Sequence, residues 1–351
     1  MKCQAGRIER FLTSVLLSFA IVSLIPIPSD AQQRVRIGYQ TLWASVGEIY
    51  ETLAHTNILE LNGVTGDFKR FTYGGPLGEA AVAGEVDTAV AADTPILRVI
   101  GRRSDFKVIS RTHDWVWYVM ARPDVGVNSL ADLKGKKLAA PFGTTVFPRT
   151  YRKLVDLGFR EPFKEMTIIN QDIAEQAAAL QAKAVDAVVT WPPTSEKLRT
   201  SGVAKPIYTA KKGEGAGWQA VGPDVLKDRD LTVRYLKSYI MAVWWASNNL
   251  QTAGKWFGET SRIPPDLLRT FAMDDRYLRA PVKDVREIDL VVTDADIADA
   301  QAVMDFLLEQ KLLTSKVDVK SAVDMSYLRQ AQEDIKAGKH PVLSSIRITK
   351  P

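Results

Sequence analysis

The chain has 351 residues, 46% hydrophobic and 25% charged, with 46 Lys and Arg against 41 Asp and Glu for a net charge of +5. Both signs of charge alternate along it and no basic run exceeds a few residues, which argues against nucleic-acid binding. Its one cysteine, Cys3, lies so early that the rest of the chain offers no disulfide, no cysteine–metal site and no cysteine nucleophile.

Residues 1–31 read as an export signal. Lys2, Arg7 and Arg10 form the charged front, 11–25 the apolar run, Pro26 and Pro28 a break, and Ser29-Asp30-Ala31 the small residues at a cleavage position. The run is too short, and too interrupted by Thr13, Ser14, Ser18 and Ser23, to span a bilayer comfortably. Cys3 precedes it and so cannot carry a lipoprotein's lipid. The expected location is the periplasm. The remaining chain, about 320 residues, is long enough for one large or two medium domains.

A pattern then occurs twice. Ala83-Gly84-Glu85-Val86-Asp87-Thr88-Ala89-Val90 returns as Ala182-Lys183-Ala184-Val185-Asp186-Ala187-Val188-Val189. Each copy follows a short Ala-rich helix (76–83 and 173–183) and continues as an apolar strand ending before a proline, at Thr94-Pro95 and Trp191-Pro192. Upstream, strand 35–39 with its turn Gln40-Thr41 matches strand 137–141 with Gly143-Thr144-Thr145. After this second strand, Thr144 or Thr145 is expected to cap a helix that has Pro148 in its first turn, giving an anion site of unpaired N–H groups and hydroxyls.

Strands alternating with helices predict two α/β lobes, each a mostly parallel sheet covered by helices. Ligands then gather at the strand carboxyl ends, here 39–43, 73–76, 93–95, 142–145 and 190–191. Two segments read as crossovers: 111–121, with His113, Asp114, Trp115, Trp117 and Tyr118, and 211–221, with Gly213, Gly215 and Gly217 ahead of Trp218-Gln219. The expected division is leader 1–31, first lobe 32–114, inserted second lobe 115–215, and 216–351 completing the first lobe. Beyond Gly222 the chain turns helical over 231–250 and again after a Thr293 cap, where Ile297, Ala300, Met304 and Leu307 recur at helical spacing. These helices are expected to pack on the first lobe, with Trp244-Trp245 in core or interface and the tail beyond Asp334 peripheral.

These motifs resemble the extracytoplasmic solute-binding proteins of ABC importers for sulfonates, nitrate and related compounds, above all the taurine-binding branch. The resemblance rests on Ile37-Gly38-Tyr39-Gln40-Thr41, Gly74-Gly75-Pro76, Asp93-Thr94-Pro95, the run Leu130-Ala131-Asp132-Leu133-Lys134-Gly135-Lys136-Lys137, Pro141-Phe142 with Thr144-Thr145, and Val185-Asp186 through Trp191. It implies a type II periplasmic binding protein fold with two crossovers and no cofactor, a monomer that closes over a taurine- or sulfonate-like anion and delivers it to permease subunits in the membrane. The family's ligand-contacting positions fall on Gln40, Thr41, Gly75, Pro76, Asp93, Thr94, Thr144, Thr145 and Trp191. A histidine that often follows the paired hydroxyls in that branch is replaced here by Val146 and Phe147, while Trp43, Asp93 and the crossover 115–118 also depart from its pattern.

The residues themselves point to capture without chemistry. Fold-sharing enzymes use cysteine nucleophiles or Cys/His-rich motifs absent here, no cluster has metal-ligand spacing, and Gly74-Gly75-Pro76 lacks the lysine and hydroxyl of a phosphate loop. Of the histidines, His55 lies in a helix and His340 in the polar tail, leaving His113 beside Asp114 as the one that faces the cleft. Asp87 and Asp186 read as structural acids. Trp43 and Trp191, with Trp218 and Tyr39 as further candidates, supply aromatic walls. Asp93 reads either as a group that attracts a ligand ammonium or as a turn carboxylate. Two alternatives stand beside the anion reading: the same fold holding a neutral or cationic heterocycle such as a thiamine-precursor pyrimidine, and a fold-sharing exported enzyme.

Overall fold

The computed structural model describes residues 33–350 apart from Trp115, Lys212, 265–266 and 269–274. The export signal read at 1–31, Trp115 of the first crossover and the side chain of His113 lie outside the described residues.

The chain begins with β1 (Gln33–Gln40), α1 (Val46–His55), β2 (Val64–Phe71), α2 (Gly74–Val82), β3 (Thr88–Ala92), α3 (Asp93–Arg102) and β4 (Lys107–Asp114). A second series follows: β5 (Tyr118–Ala121), β6 (Lys137–Ala140), α4 (Val146–Asp156), β7 (Thr167–Asn170), α5 (Gln176–Gln181), β8 (Ala187–Thr190), α6 (Thr194–Thr200) and β9 (Lys205–Thr209). Last come β10 (Ala216–Val221), α7 (Arg229–Asn248), α8 (Leu250–Ser261), α9 (Asp294–Glu309) and α10 (Ser326–Lys336).

The strands form two five-stranded sheets, ordered β2-β1-β3-β10-β4 and β7-β6-β8-β5-β9. In each, one strand (β10 or β5) runs antiparallel to its neighbours and the other pairings made by β1 and β6 are parallel. The two-lobe α/β architecture expected from the repeat is therefore present. The central strands β3 and β8 are buried at every position, as parallel strands covered on both faces must be. The chain passes from the first sheet to the second after Asp114 and returns at Ala216, so β10 and β5 exchange places between the two halves.

The repeated Val-Asp step has the same job in both lobes. Asp87 accepts from Arg36 N at 2.8 Å and Asp186 from Lys137 N at 2.9 Å, while each aspartate's own N–H donates back to the same residue's carbonyl. These acids pin β3 to β1 and β8 to β6. The turn before each also repeats, with Gly84 at φ +75° in one copy and Lys183 at φ +56° in the other.

Two expectations need correction. The single helix read over 231–250 is two helices: Asn249 leaves helical geometry (φ −133°, ψ 38°), and its side-chain amide bonds Trp245 O at 2.9 Å. The Thr293 cap is present, but the helix it starts, α9, does not pack on the first lobe alone. Phe306 meets Tyr151 of α4 with ring centroids 5.9 Å apart. The tail beyond Asp334 lies at the surface as expected, with only Ile335 buried among its described residues, and its last residues strap the end of α1, with Asn57 N donating to Arg347 O and Thr349 N to His55 O. A helix end leaves carbonyls without intrahelical partners, and His55 O gains one from the tail. Among the described residues no helix is long and apolar enough to cross a membrane.

Candidate functional site

The carboxyl ends of β1, β3, β6 and β8 meet where the two lobes touch. Gln40, Trp43, Gly74, Ala92, Pro95, Thr144, Thr145 and Trp191 surround a cavity of about 20 Å³ there. That is room for about one water molecule. The cleft expected between the halves is thus nearly shut. Gly74 sits on Pro95 so closely that a Cβ would lie 2.9 Å from the proline Cγ, and a Cβ on Gly143, at φ +67°, would lie 3.4 Å from Gly75 Cα. The first approach needs glycine for want of room, whereas at Gly143 it is the left-handed φ that favours glycine.

The Thr-Thr helix start faces the cavity, but its hydroxyls do not cap α4. Thr144 Oγ1 donates to Pro141 O at 2.6 Å; Thr145 Oγ1 donates to Asp93 Oδ1 at 2.7 Å and accepts from Thr94 N at 3.1 Å. A carbonyl of the preceding turn has claimed one hydroxyl and a tertiary partner the other. What α4 keeps for the cavity is its first N–H groups, which have no acceptor within the helix, and the positive end of its dipole.

Asp93 does bond the first turn of its own helix, as a turn carboxylate would, but its main partner lies across the seam. Its carboxylate is buried at the seam and pairs with Arg149 of α4 at 2.6 Å, while Thr94 N and Thr94 Oγ1 donate to it from its own helix. Arg149 also pairs with Asp299 of α9 at 2.8 Å. Burial opposes the Arg149 charge, but Asp93 and then Asp299 outweigh it and raise the guanidinium above its ordinary pKa. The Asp93 charge is spent inside the protein, so it neither repels an anion nor waits for an ammonium. Two further bonds cross the seam: Trp191 Nε1 donates to Leu42 O at 2.8 Å, and Thr72 Oγ1 to Asp172 at 3.3 Å.

Of the other residues singled out, Gln40 lines the cavity and donates to Val90 O at 3.0 Å, a bond that Gln176 to Val189 O repeats in the second lobe. Thr41 bonds Phe71 O and lies outside the cavity lining, as does Pro76 in the first turn of α2. Gly75 lines a neighbouring groove rather than the cavity. Trp218 and Tyr39 are core residues: Trp218 is wholly buried in β10, and Tyr39 stacks on Tyr50 and donates to Glu51 at 2.5 Å. The aromatic wall narrows to Trp43 and Trp191, one from each lobe. Arg149 and Asp299 were not found from sequence. The four-residue step from Thr145 to Arg149, which puts both on one face of α4, was the signal available for Arg149. Among the described residues no group of three His, Asp or Glu side chains could hold a metal ion.

Comparison with known proteins fits this geometry. Residues 77–217 match the family described as NMT1/THI5 like. The chain is 23% identical over 317 residues, 87% of its length and 90% of the relative's, to a protein of Bacillus subtilis (strain 168) named for aliphatic sulfonate binding. Among solved structures it is similar to the alkanesulfonate-binding protein SsuA of Xanthomonas axonopodis pv. citri bound to MOPS (TM-score 0.68, 22% identity, 83% of this chain and 98% of that one). It is also similar to the periplasmic aliphatic sulphonate binding protein SsuA of Escherichia coli (TM-score 0.66, 19% identity, 83% and 92%). The desulfurization enzyme DSZB in complex with biphenyl-2-sulfinic acid shares the fold too (TM-score 0.63, 14% identity, 86% and 99%).

Proposed function

We propose, for a chain whose residues 77–217 match the NMT1/THI5-like family, that it is the solute-binding subunit of an ABC importer. On this reading it works in the periplasm as a monomer, captures a small organic anion of the sulfonate class between its lobes, and delivers it to the permease without chemical change. The observation that carries the reading is the start of α4. It presents backbone N–H groups and a positive dipole end to the cavity, while Asp93, which bonds Thr145 at this helix start, is already paired with Arg149.

The cavity is far too small for an organic sulfonate, so capture requires the lobes to part about the two crossovers and close again. In the closed complex the anionic head accepts hydrogen bonds from the first turn of α4, and the indoles of Trp43 and Trp191 cover the organic remainder. Charge-assisted bonds of about 1.5–3 kcal/mol each bring three or four of them to the ~8 kcal/mol of micromolar binding. The hydroxyls of Thr144 and Thr145 hold the helix start and the seam in shape instead of donating to the ligand.

Titration calorimetry tests this. MOPS or a short alkanesulfonate is expected to bind with a dissociation constant of about micromolar or below, and a neutral pyrimidine is expected not to bind. Binding of the pyrimidine with no response to any sulfonate would overturn the anion reading in favour of a heterocycle carrier.

A further inference from the structure

Beside the cleft, between α2 and α3, lies a groove of about 70 Å³ that shares Gly74 and Pro95 with the cavity and is roofed by Gly143 of the second lobe. Its floor is made by missing side chains: Gly74 and Gly78 face Pro95 and Val99 across it, and Gly75, backed by the Tyr73 ring, lines it beside them. Two arginines of α3 line it, and they differ. Arg102 forms a two-pronged bond with Glu79, at 2.7 and 2.8 Å. Arg98 has no carboxylate partner among the described residues; its one bond runs from Nη2 to Leu312 O at 3.5 Å, and its Nε is buried without an acceptor. The groove is therefore lined by one cation bonded to Glu79 and by a second, Arg98, that has no carboxylate within bonding distance and feels the Glu79 charge only from further off.

We propose that this groove is an oxyanion antechamber of the cleft, and that Arg98 holds the ligand's sulfonate or sulfate-like head before the lobes part. The proposal rests on the sulfonate reading above and adds a route to it. The groove and the cavity are divided at the Gly75–Gly143 contact, so lifting the second lobe joins them into one channel walled by Gly74 and Pro95. An anion resting on Arg98 is then next to the start of α4 when that channel opens. The positive charge also raises the local anion concentration at the mouth, an effect on association and not on the closed complex.

The test is stopped-flow tryptophan fluorescence of the full chain with MOPS as the probe, across a series of salt concentrations. Arg98→Met is expected to slow association about threefold or more at low salt, to leave dissociation within about twofold, and to flatten the salt dependence. Arg98→Lys keeps most of the rate, and Glu79→Gln, which removes the groove's acid, raises it. Association unchanged in Arg98→Met, or a loss confined to dissociation, overturns the proposal. A titration with inorganic sulfate, followed by NMR at the Arg98 Nε–H, decides the groove independently of the ligand. A saturable shift that vanishes in Arg98→Met supports the antechamber, and no shift contradicts it. If the wild-type chain binds no sulfonate at all, the proposed function falls while the sulfate titration still rules on the groove.

Discussion

Asp93 and Arg149 show how far a residue's role depends on what folds against it. In sequence, Asp93 stands two residues before a proline, which left a ligand contact and a turn carboxylate equally open; its partner lies 56 residues on, and Asp299 a further 150. With Asp93 2% and Arg149 6% exposed, removing one partner strands a buried charge. Arg149→Met is expected to lower the folding stability by about 3–5 kcal/mol in denaturant melts, and Asp93→Asn combined with Arg149→Met to recover much of that. Equal melts for wild type and Arg149→Met would show that the pair is not formed in solution.

A second buried acid gives a pH dependence. Burial, opposed by a backbone bond from Ser45 N, pushes the carboxyl of Glu48 up to about 8, and Asp275 nearby is pushed up to about 6, also by burial. Both folded values lie above the unfolded ones, so the native state binds extra protons and stability falls as pH rises, through about 8 for Glu48. The Glu48 slope is at most about 1.4 kcal/mol per pH unit. Glu48→Gln is expected to match or exceed the wild type near pH 8 and to lose that part of the slope, leaving the Asp275 contribution below pH 6. A wild-type stability that climbs between pH 6 and 8 would contradict this account of Glu48.

Among the elements, the repeated helix–turn–strand units were legible because each level agreed: an Ala-rich helix, an αL turn, Val-Asp, then an apolar strand. The copies differ at the turn, where Gly84 is replaced by Lys183 in the same left-handed region. A side chain there costs about 1 kcal/mol or more, so Lys183→Gly is expected to stabilise the chain by roughly that amount in thermal or denaturant unfolding. No gain would mean that the Lys183–Asp124 pair, at 3.0 Å, offsets the strain. The start of α4 was legible as a helix start but not in its hydroxyl bonds. A cap is a local preference of about 1 kcal/mol, and Thr145 instead satisfies a buried carboxylate from the other lobe. Similarly, α9 carried a readable cap and apolar stripe, yet nothing in its own residues said that Asp299 and Phe306 would reach the second lobe.

For the whole molecule, the sequence yielded two lobes, their strand ends and most of the positions around the cavity, because repeats and strand ends are local signals. The closeness of the seam was not legible. It depends on Asp93 meeting Arg149, Trp191 meeting Leu42, and Gly143 meeting Gly75, all contacts between lobes. This closed arrangement is what makes lobe movement a requirement of the account. A crystal structure of the chain with MOPS tests it most directly: the sulfonate should lie between the lobes, its oxygens within about 3 Å of the N–H groups that open α4, with the indoles of Trp43 and Trp191 on the remainder. A sulfonate bound elsewhere, with the cleft still shut around its small cavity, would contradict the account.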